Sequence, residues 1–358
     1  MKYGLAGGGT GGHTYPAVAV AERLRDRADV ELVYYGTPNG PERAVAEAEG
    51  FAFRPVPASP LRSRSPARVA RGVINLLRGS REARRWLARD APGAVFATGG
   101  YAAAPIGRAA RREGIPLLLF LPDVRPGWAI RSMRGQAQAV ACSVPDSLRY
   151  LPADRSVVTG YPTRRQFRTA SREAGARHFG LDPARPTLLV TGGSLGAHHI
   201  NLAIARGLQP LLERVQIIHI AGRSEETWLA RERDRLPTWL QERYALHAYT
   251  EEMALAMATS DLAVTRAGAS TLGELPAAGL PAIVIPGEFS DQRDNASYLE
   301  RHGAALTLSG DAVEDLPNEI LRLIENDAAR ERMALAMREL DRPDAADQLA
   351  RMLEGLAA

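Results

Sequence analysis

Near its N-terminus the chain reads Gly7-Gly8-Gly9-Thr10-Gly11-Gly12-His13-Thr14-Tyr15-Pro16. This turn joins a short apolar run, Tyr3 to Ala6, to a helical pattern that begins at Ala17. Glycine adopts positive φ angles and lets backbone N–H groups approach an anion closely, and proline is tolerated in a first helical turn. A glycine-rich turn that leads into a helix N-terminus therefore predicts a phosphate or pyrophosphate site.

Length and composition predict a soluble globular protein of two domains. The 358 residues, 45% of them hydrophobic and 24% charged, exceed the size of one ordinary core. The single cysteine, Cys142, excludes an internal disulfide or a cysteine-rich metal site, and we expect it to be buried. No signal peptide and no apolar run near the ~20 residues of a membrane span are recognisable, so we expect a cytoplasmic protein. The net charge of +4 permits contact with anionic lipid or nucleic acid but requires neither.

Apolar runs of strand length alternate with helical patterns along the chain. The runs are continuous, as is typical of strands buried in parallel sheets. They cover residues 3–6, 30–35, 94–97, 116–121, 139–144 and 156–159, and then 187–191, 215–221, 262–265, 282–285 and 304–308. We therefore predict an α/β protein of two doubly wound Rossmann-like domains with a cleft between them, divided near 160–165.

Three glycine turns follow predicted strands, where ligands of such sheets bind. Beside residues 7–13 they are Thr98–Ala102 and Thr191–Ala197. The first turn ends in His13-Thr14 rather than the Lys-Ser/Thr of a P-loop, so a P-loop NTPase is disfavoured. The second strand has no acidic residue at its end before Glu42, which leaves a nicotinamide enzyme as a weak alternative. No spacing indicates catalytic zinc.

The second half carries two polar segments after predicted strands. Thr265 to Glu274 opens a helix, and a carboxylate one turn into it could hold a ribose diol. The alternative is that Glu274 merely complements the helix dipole. In the loop from Pro286 to Ala296, Gln292 and Asn295 carry amides suited to sugar hydroxyls.

Taken together, these segments resemble the MurG family in order and spacing. The matching stretches are residues 7–16, 98–101, 192–201, 266–274 and 291–296. The resemblance implies a GT-B fold and an inverting, UDP-GlcNAc-dependent hexosyltransferase. It would convert lipid I, a lipid-diphosphate-linked MurNAc-pentapeptide, to lipid II for peptidoglycan, with no metal, no cofactor and no nucleic-acid partner. It also implies an N-terminal acceptor domain (1–162), a C-terminal donor domain (163–340) and a final helical segment (341–358) that returns to the first domain.

The family pattern carries over residue by residue. For the donor it implies Ser194 at the diphosphate, Arg164 near the nucleobase, Thr250 in a stretch that reads uracil, and Glu274 at the ribose. Gln292 and Asn295 would bind GlcNAc hydroxyls. The remaining donor positions are Arg266, Ala269, Ser270 and Thr271. On the acceptor side, the residues that would face or adjoin the diphosphate are Thr10, Gly11, Gly12, His13 and Tyr101.

The reaction needs a base for the acceptor hydroxyl and stabilisation of the leaving UDP, for which Arg266 and loop N–H groups are suited. His13 is the first candidate for the base, because its unperturbed pKa suits neutral pH. A phosphate-binding or loop-ordering His13 is the alternative. Where the family has a polar His-Glu-Gln-Asn segment, this chain has Phe120-Leu121-Pro122-Asp123. Asp123 is thus a second candidate base.

That departure leaves the acceptor open. A related GT-B enzyme that glycosylates another lipid such as diacylglycerol, a UDP-GlcNAc 2-epimerase, and a non-catalytic UDP-sugar-binding paralogue are the alternatives. Nine arginines between Arg62 and Arg89, with apolar residues among them, could meet anionic lipid. The alternative is a solvated surface helix. A lipid-linked acceptor favours a peripheral location on the inner face of the cell membrane. We also expect one amphipathic helix from Ala328 to Leu356.

Overall fold

The computed structural model describes residues 1–27, 29–60, 66–193, 197–287 and 292–358, without the side chains of 66–70 and 73. These residues form two compact units. Unit 1 comprises residues 1–164 and 342–358, and unit 2 comprises residues 165–341.

Unit 1 is built on a parallel sheet, seven-stranded in the described part of the chain, with the order β3-β2-β1-β4-β5-β6-β7. The strands are β1 (Lys2–Ala6), β2 (Glu31–Gly36), β3 (Ala52–Pro55), β4 (Ala94–Ala97), β5 (Leu117–Leu121), β6 (Ala139–Cys142) and β7 (Ser156–Val158). The helices between them are α1 (Gly11–Arg25), α2 (Pro41–Ala48), α3 (Pro66–Asp90), α4 (Gly100–Glu113) and α5 (Trp128–Met133). A 3₁₀ helix spans Pro145–Tyr150.

Unit 2 repeats this plan with a parallel sheet of order β10-β9-β8-β11-β12-β13. Its strands are β8 (Thr187–Thr191), β9 (Gln216–Ile220), β10 (Tyr244–His247), β11 (Leu262–Thr265), β12 (Ala282–Val284) and β13 (Ala305–Thr307). Its first helices are α6 (Gln166–Thr169), α7 (Arg172–Phe179), α8 (His198–Arg206), α9 (Leu208–Arg214), α10 (Glu226–Asp234) and α11 (Thr238–Gln241). The later ones are α12 (Met253–Thr259), α13 (Glu274–Ala278), α14 (Gln292–Arg301), α15 (Leu316–Ile324) and α16 (Asp327–Glu339). Two 3₁₀ helices span Ala269–Leu272 and Gly310–Asp315.

The two doubly wound sheets confirm the predicted fold class. Every predicted apolar run forms a strand, and the side chains of the central strands fill the cores on both faces of each sheet. The edge strands β3 and β10 were not predicted.

Cys142 is buried, as expected. Among the described residues, no helix combines the length and apolar character needed to cross a membrane.

The prediction of one helix from Ala328 to Leu356 is wrong. The segment forms α16, which ends at Glu339, and a separate helix α17 (Ala345–Ala357). Pro343 lies in the interruption, and proline lacks the N–H that a continuous helix would need there. Helix α17 belongs to unit 1, where Arg27 on the turn after α1 pairs with Asp347 and Glu354 at 2.9 and 2.8 Å.

Candidate active site

In unit 1 the first two glycine turns lie against each other. The turn after β1 places Gly9 at φ +88°, and the turn after β4 places Gly100 at φ +71°. A Cβ on Gly100 would collide with the carbonyl oxygen of Gly8, so only glycine allows this approach. The Thr98 hydroxyl donates to the carbonyl of His13, and the Tyr34 hydroxyl donates to the carbonyl of Gly7 at 2.9 Å. These contacts hold the loop that precedes α1.

His13 lies in the first turn of α1 with 23% of its side chain exposed. Its Nδ1 is 2.9 Å from the Thr10 hydroxyl, and its Nε2 is 3.9 Å from the carboxylate of Asp123, which follows β5. Burial lowers the pKa of His13 below its usual 6.5, and the negative charge of Asp123 opposes this shift. The structure thus brings together both candidate bases, which are far apart in the sequence.

Two other predicted site residues also lie in unit 1. The ring of Tyr101, on α4, packs so close to Gly9 that a Cβ there would be 2.6 Å from its Cε1. Burial, with the nearby charge of Glu42, raises the pKa of Tyr101. The guanidinium of Arg164 stacks 4.0 Å from the ring centroid of Tyr15 on α1. A contact of Arg164 with a nucleobase stays a prediction.

In unit 2 the third glycine turn joins β8 to α8. Gly193 there has φ +79°, and its N–H donates to the Thr191 hydroxyl at 3.3 Å. The predicted diphosphate ligand Ser194 lies outside the described residues. Thr250 follows β10, and its hydroxyl accepts a hydrogen bond from the N–H of Glu252 at 3.0 Å.

Two segments that follow neighbouring strands of this sheet are tied together by amide side chains. The Oε1 atom of Gln292 accepts hydrogen bonds from Nε of Arg266 at 3.2 Å and from the N–H of Gly287 at 2.9 Å. Asn295 is fully buried, and its Nδ2 donates to the carbonyl of Ala267 at 3.0 Å. Asn295 thus holds the turn after β11. A sugar contact by Asn295 stays a prediction.

The segment after β11 differs from the expected helix. Ala269, Ser270 and Thr271 form a 3₁₀ turn, in which the Thr271 hydroxyl donates to the carbonyl of Gly268 at 2.5 Å. Glu274 is therefore the first residue of α13 rather than one turn into a helix, and it is 8% exposed. A carboxylate at a helix N-terminus is stabilised by the dipole.

The sequence alone indicates no functional role for Glu42. Its fully buried carboxylate accepts a hydrogen bond from the N–H of Gly9 at 3.1 Å. The only available signal was an acidic residue in the first turn of a helix that begins with Pro41, and that signal alone indicates no more than dipole complementation.

Both halves of the chain match family models. Residues 3–142 match the glycosyltransferase family 28 N-terminal domain, and residues 187–349 match the glycosyltransferase family 28 C-terminal domain. The protein, with its two doubly wound units and glycine turns at strand ends, is thus a family 28 glycosyltransferase.

Full-length relatives narrow this class. The chain is 41% identical to the UDP-N-acetylglucosamine–N-acetylmuramyl-(pentapeptide) pyrophosphoryl-undecaprenol N-acetylglucosamine transferase of Roseiflexus sp. (strain RS-1), over 99% of this chain and 95% of the relative. It is 38% identical to the protein of the same name from Salinibacter ruber, over 99% and 96%. The crystal structure of Acinetobacter baumannii MurG is similar with a TM-score of 0.73 and 25% identity, over 99% of each chain. The chain belongs to the MurG family, which confirms the resemblance.

Proposed function

We propose that this protein transfers GlcNAc from UDP-GlcNAc to the lipid-diphosphate-linked MurNAc-pentapeptide, which converts lipid I to lipid II in peptidoglycan synthesis. The observation that carries the proposal is the 41% identity over 99% of the chain to a transferase named for this reaction. The protein is therefore a UDP-GlcNAc-dependent N-acetylglucosaminyltransferase of cell-wall biogenesis, a pathway on which cell shape and division depend.

Unit 1 is assigned to the acceptor. Gly11 and Gly12 open the 15-residue helix α1, whose first turn contains no acidic residue and whose N-cap, Thr10, makes no side-chain capping bond. The N–H groups and positive dipole end of such a helix attract a diphosphate. Tyr101 would lie beside that diphosphate.

His13 is assigned as the general base. When its Nδ1–H donates to the Thr10 hydroxyl, the lone pair of Nε2 can accept the proton of the attacking MurNAc hydroxyl. The carboxylate of Asp123 then stabilises the imidazolium that forms. The hydroxyl oxygen attacks the anomeric carbon from the face opposite UDP, so the C–O bond to the diphosphate breaks and the configuration inverts.

Unit 2 is assigned to the donor. Glu274 would accept hydrogen bonds from the ribose diol, and Gln292 would bind GlcNAc hydroxyls with Asn295 supporting its turn. Arg266 would stabilise the charge that develops on the leaving diphosphate, since its guanidinium lies at the carboxyl end of β11. Arg164, Ser194, Thr250 and the turn of Ala269, Ser270 and Thr271 complete the proposed set.

A surface of unit 1 supports a peripheral location on the inner membrane face. We call it the Trp128 surface, and it comprises Arg108, Arg111, Arg112 and Trp128. These residues line part of a pocket of about 530 Å³, and Trp128 is 44% exposed. Helix α3, whose Leu76 lines the same pocket, also exposes Ile74 and Leu77. Arginines beside exposed apolar side chains suit an anionic lipid surface. Arg62 and Arg64 of the basic stretch lie outside the described residues.

The function is tested by incubating the protein with labelled UDP-GlcNAc and a short-chain lipid I. Label in lipid II is the expected result. Label in diacylglycerol instead would identify a different lipid glycosyltransferase. UDP-GlcNAc binding without transfer to either acceptor would identify a non-catalytic paralogue, and both results would contradict the proposal.

A further inference from the structure

A fully buried carboxylate lies directly behind the glycine turn of unit 1. Glu42 is 0% exposed on helix α2. Its Oε2 accepts the N–H of Gly9 at 3.1 Å, and its Oε1 accepts the N–H and the hydroxyl of Thr37 at 2.8 and 2.6 Å. Three donors thus converge on this carboxylate from two different loops.

The charge of Glu42 is stabilised by dipoles rather than by a cation. Across the described ranges, no lysine or arginine nitrogen lies within 4.0 Å of it. Burying a carboxylate is costly unless its oxygens are hydrogen-bonded, and a hydrophobic side chain would fill the space at lower cost. The arrangement therefore serves the geometry of its hydrogen-bond donors more than stability.

The surrounding backbone is built to admit this carboxylate. A Cβ on Gly8, Gly36 or Gly40 would collide with side-chain atoms of Glu42. Glycine at these positions thus lets the carboxylate approach the turn closely. The Gly9–Glu42 bond joins the loop after β1 to helix α2, which follows β2, and these two strands are neighbours in the sheet.

The ring of Tyr101 contacts the same glycine turn. The Thr37 hydroxyl donates to Glu42, and the Tyr101 ring packs against Gly9. Glu42 therefore holds, by a direct bond, the residue against which Tyr101 packs. Gly9 and Tyr101 belong to or adjoin the proposed acceptor site.

We infer that Glu42 is a positioning residue for the acceptor diphosphate. It holds Gly9 at φ +88° and takes up the Gly9 N–H, so the diphosphate binds at the N–H groups of Gly11 and Gly12 instead. Its negative charge also keeps phosphate away from the inner end of the turn. This inference rests on the proposed function, because it assumes that the turn binds the acceptor.

Glu42→Gln tests the inference, because a side-chain amide cannot accept from Gly9 and Thr37 with both ends. The matched control is Glu47→Gln on the same helix, where Glu47 is exposed and pairs with Arg43. In Glu42→Gln, but not in Glu47→Gln, we expect the KM for lipid I to rise about tenfold, which corresponds to a loss of about 1.4 kcal/mol in binding free energy. The KM for UDP-GlcNAc should stay within about twofold, because the hydrogen bonds of Glu42 run to Gly9 and Thr37 and to no residue assigned to the donor. Hydrogen exchange in the peptide covering residues 7–13 should become faster.

Thr37→Val keeps the Glu42 carboxylate and removes one of its hydrogen-bond donors. It should therefore raise the KM for lipid I and speed up hydrogen exchange in residues 7–13, both by less than Glu42→Gln does. If Glu42→Gln does not fold, Thr37→Val provides the test. Unchanged lipid I KM and unchanged exchange would overturn the inference. A parallel rise in both KM values with a lower Tm would also overturn it, because that pattern indicates general destabilisation. If the unmodified protein transfers nothing to lipid I, the proposed function fails, while the exchange experiment still tests the Glu42–Gly9 bond.

Discussion

The carboxylate of Asp123 lies 3.9 Å from Nε2 of His13, and Nδ1 of the same ring lies 2.9 Å from the Thr10 hydroxyl. Asp123 stands where the family pattern has an amide, so this chain places a negative charge beside the proposed base. The pair can work in two ways. His13 accepts the proton and Asp123 stabilises the imidazolium, or Asp123 accepts the proton itself.

Replacing each member of this pair separates the two assignments. We expect His13→Ala to reduce kcat about 100-fold or more, the usual contribution of a general base. Asp123→Asn should retain more activity than His13→Ala. Steady-state kinetics with saturating UDP-GlcNAc measure both. The reverse order, with Asp123→Asn the more damaging change, would assign the base to Asp123.

The pH profile gives an independent test of His13. A histidine base works only when neutral, so kcat/KM falls as the pH drops through its pKa. Since burial lowers the pKa of His13, the acidic limb should lie below pH 6.5. Asp123→Asn removes the charge that raises this pKa, so its acidic limb should move to still lower pH. A limb that does not move would contradict the role given to Asp123.

The donor assignment depends on Glu274. Glu274→Gln keeps the shape but weakens acceptance of the ribose hydroxyls, so we expect the KM for UDP-GlcNAc to rise about tenfold, equivalent to about 1.4 kcal/mol. A donor analogue that lacks the ribose 2′-hydroxyl should lose affinity for the unmodified protein but much less for Glu274→Gln. Glu232→Gln, a change on α10 of the same unit where the side chain is 37% exposed, is the control. An unchanged donor KM in Glu274→Gln would remove this residue from the donor site.

The coupling of Arg266 and Gln292 predicts a variant that folds but binds the donor poorly. In Gln292→Glu a carboxylate oxygen can still accept from Arg266 and Gly287, so the Tm should not fall. The amide NH₂ is lost, however, and with it a donor for sugar oxygens. We therefore expect a higher KM for UDP-GlcNAc with little change in the KM for lipid I, measured in the same assay. A rise in the lipid I value alone would contradict the assignment.

The Trp128 surface predicts salt-dependent membrane binding. Each of Arg108→Gln, Arg111→Gln and Arg112→Gln should weaken binding to phosphatidylglycerol vesicles about fivefold, since an arginine near such a surface contributes about 1 kcal/mol. Trp128→Ser should weaken it further through lost apolar contact. Trp239→Ser is the matched control, because Trp239 is similarly exposed at 49% but lies in unit 2. Equal effects of both tryptophan changes in sedimentation assays would show that the Trp128 surface has no special role.

Particular residues show how far the sequence predicted this structure. Strands such as β5 and β9 were predictable because every residue in them is buried, which gives a continuous apolar run. β3 and β10 lie at sheet edges, where partly exposed residues interrupt that pattern. Pro343 is a signal for the end of a helix, but the amphipathic pattern on both sides of it favours one continuous helix.

The candidate site was predictable in its loops and much less in its contacts. Glycine turns and strand ends indicate where ligands bind, because parallel strands bring their carboxyl ends to one edge. The bond from Gly9 to Glu42 joins residues 33 apart, and the His13–Asp123 pair spans strands that are not neighbours in the sheet. Such pairings depend on side-chain packing, which no local pattern records. The same holds for Asn295, whose amide faces inward to Ala267.

A buried histidine in unit 2 predicts acid sensitivity that does not involve the active site. His219 is fully buried, with Nδ1 2.7 Å from the Tyr244 hydroxyl and Nε2 3.0 Å from Oδ1 of Asn201. Burial lowers its pKa to about 3, so the folded protein keeps it neutral while the unfolded chain takes up a proton below about pH 6.5. The contribution of neutral His219 to the free energy of unfolding is therefore fully present above pH 6.5, and it is lost progressively as the pH falls towards 3.

Between pH 7 and pH 5 this difference amounts to about 2 kcal/mol, at 1.36 kcal/mol for each pH unit below 6.5. His219→Gln retains a donor and an acceptor but does not titrate, so unit 2 of the variant should lose about 2 kcal/mol less over the same interval. Urea unfolding at the two pH values measures it, and the other histidines contribute equally to both proteins. If the variant and the unmodified protein lose the same stability, His219 does not stay neutral in the folded state. The hydrogen bonds that link the side chains of Asn201, His219 and Tyr244 must then rearrange in acid.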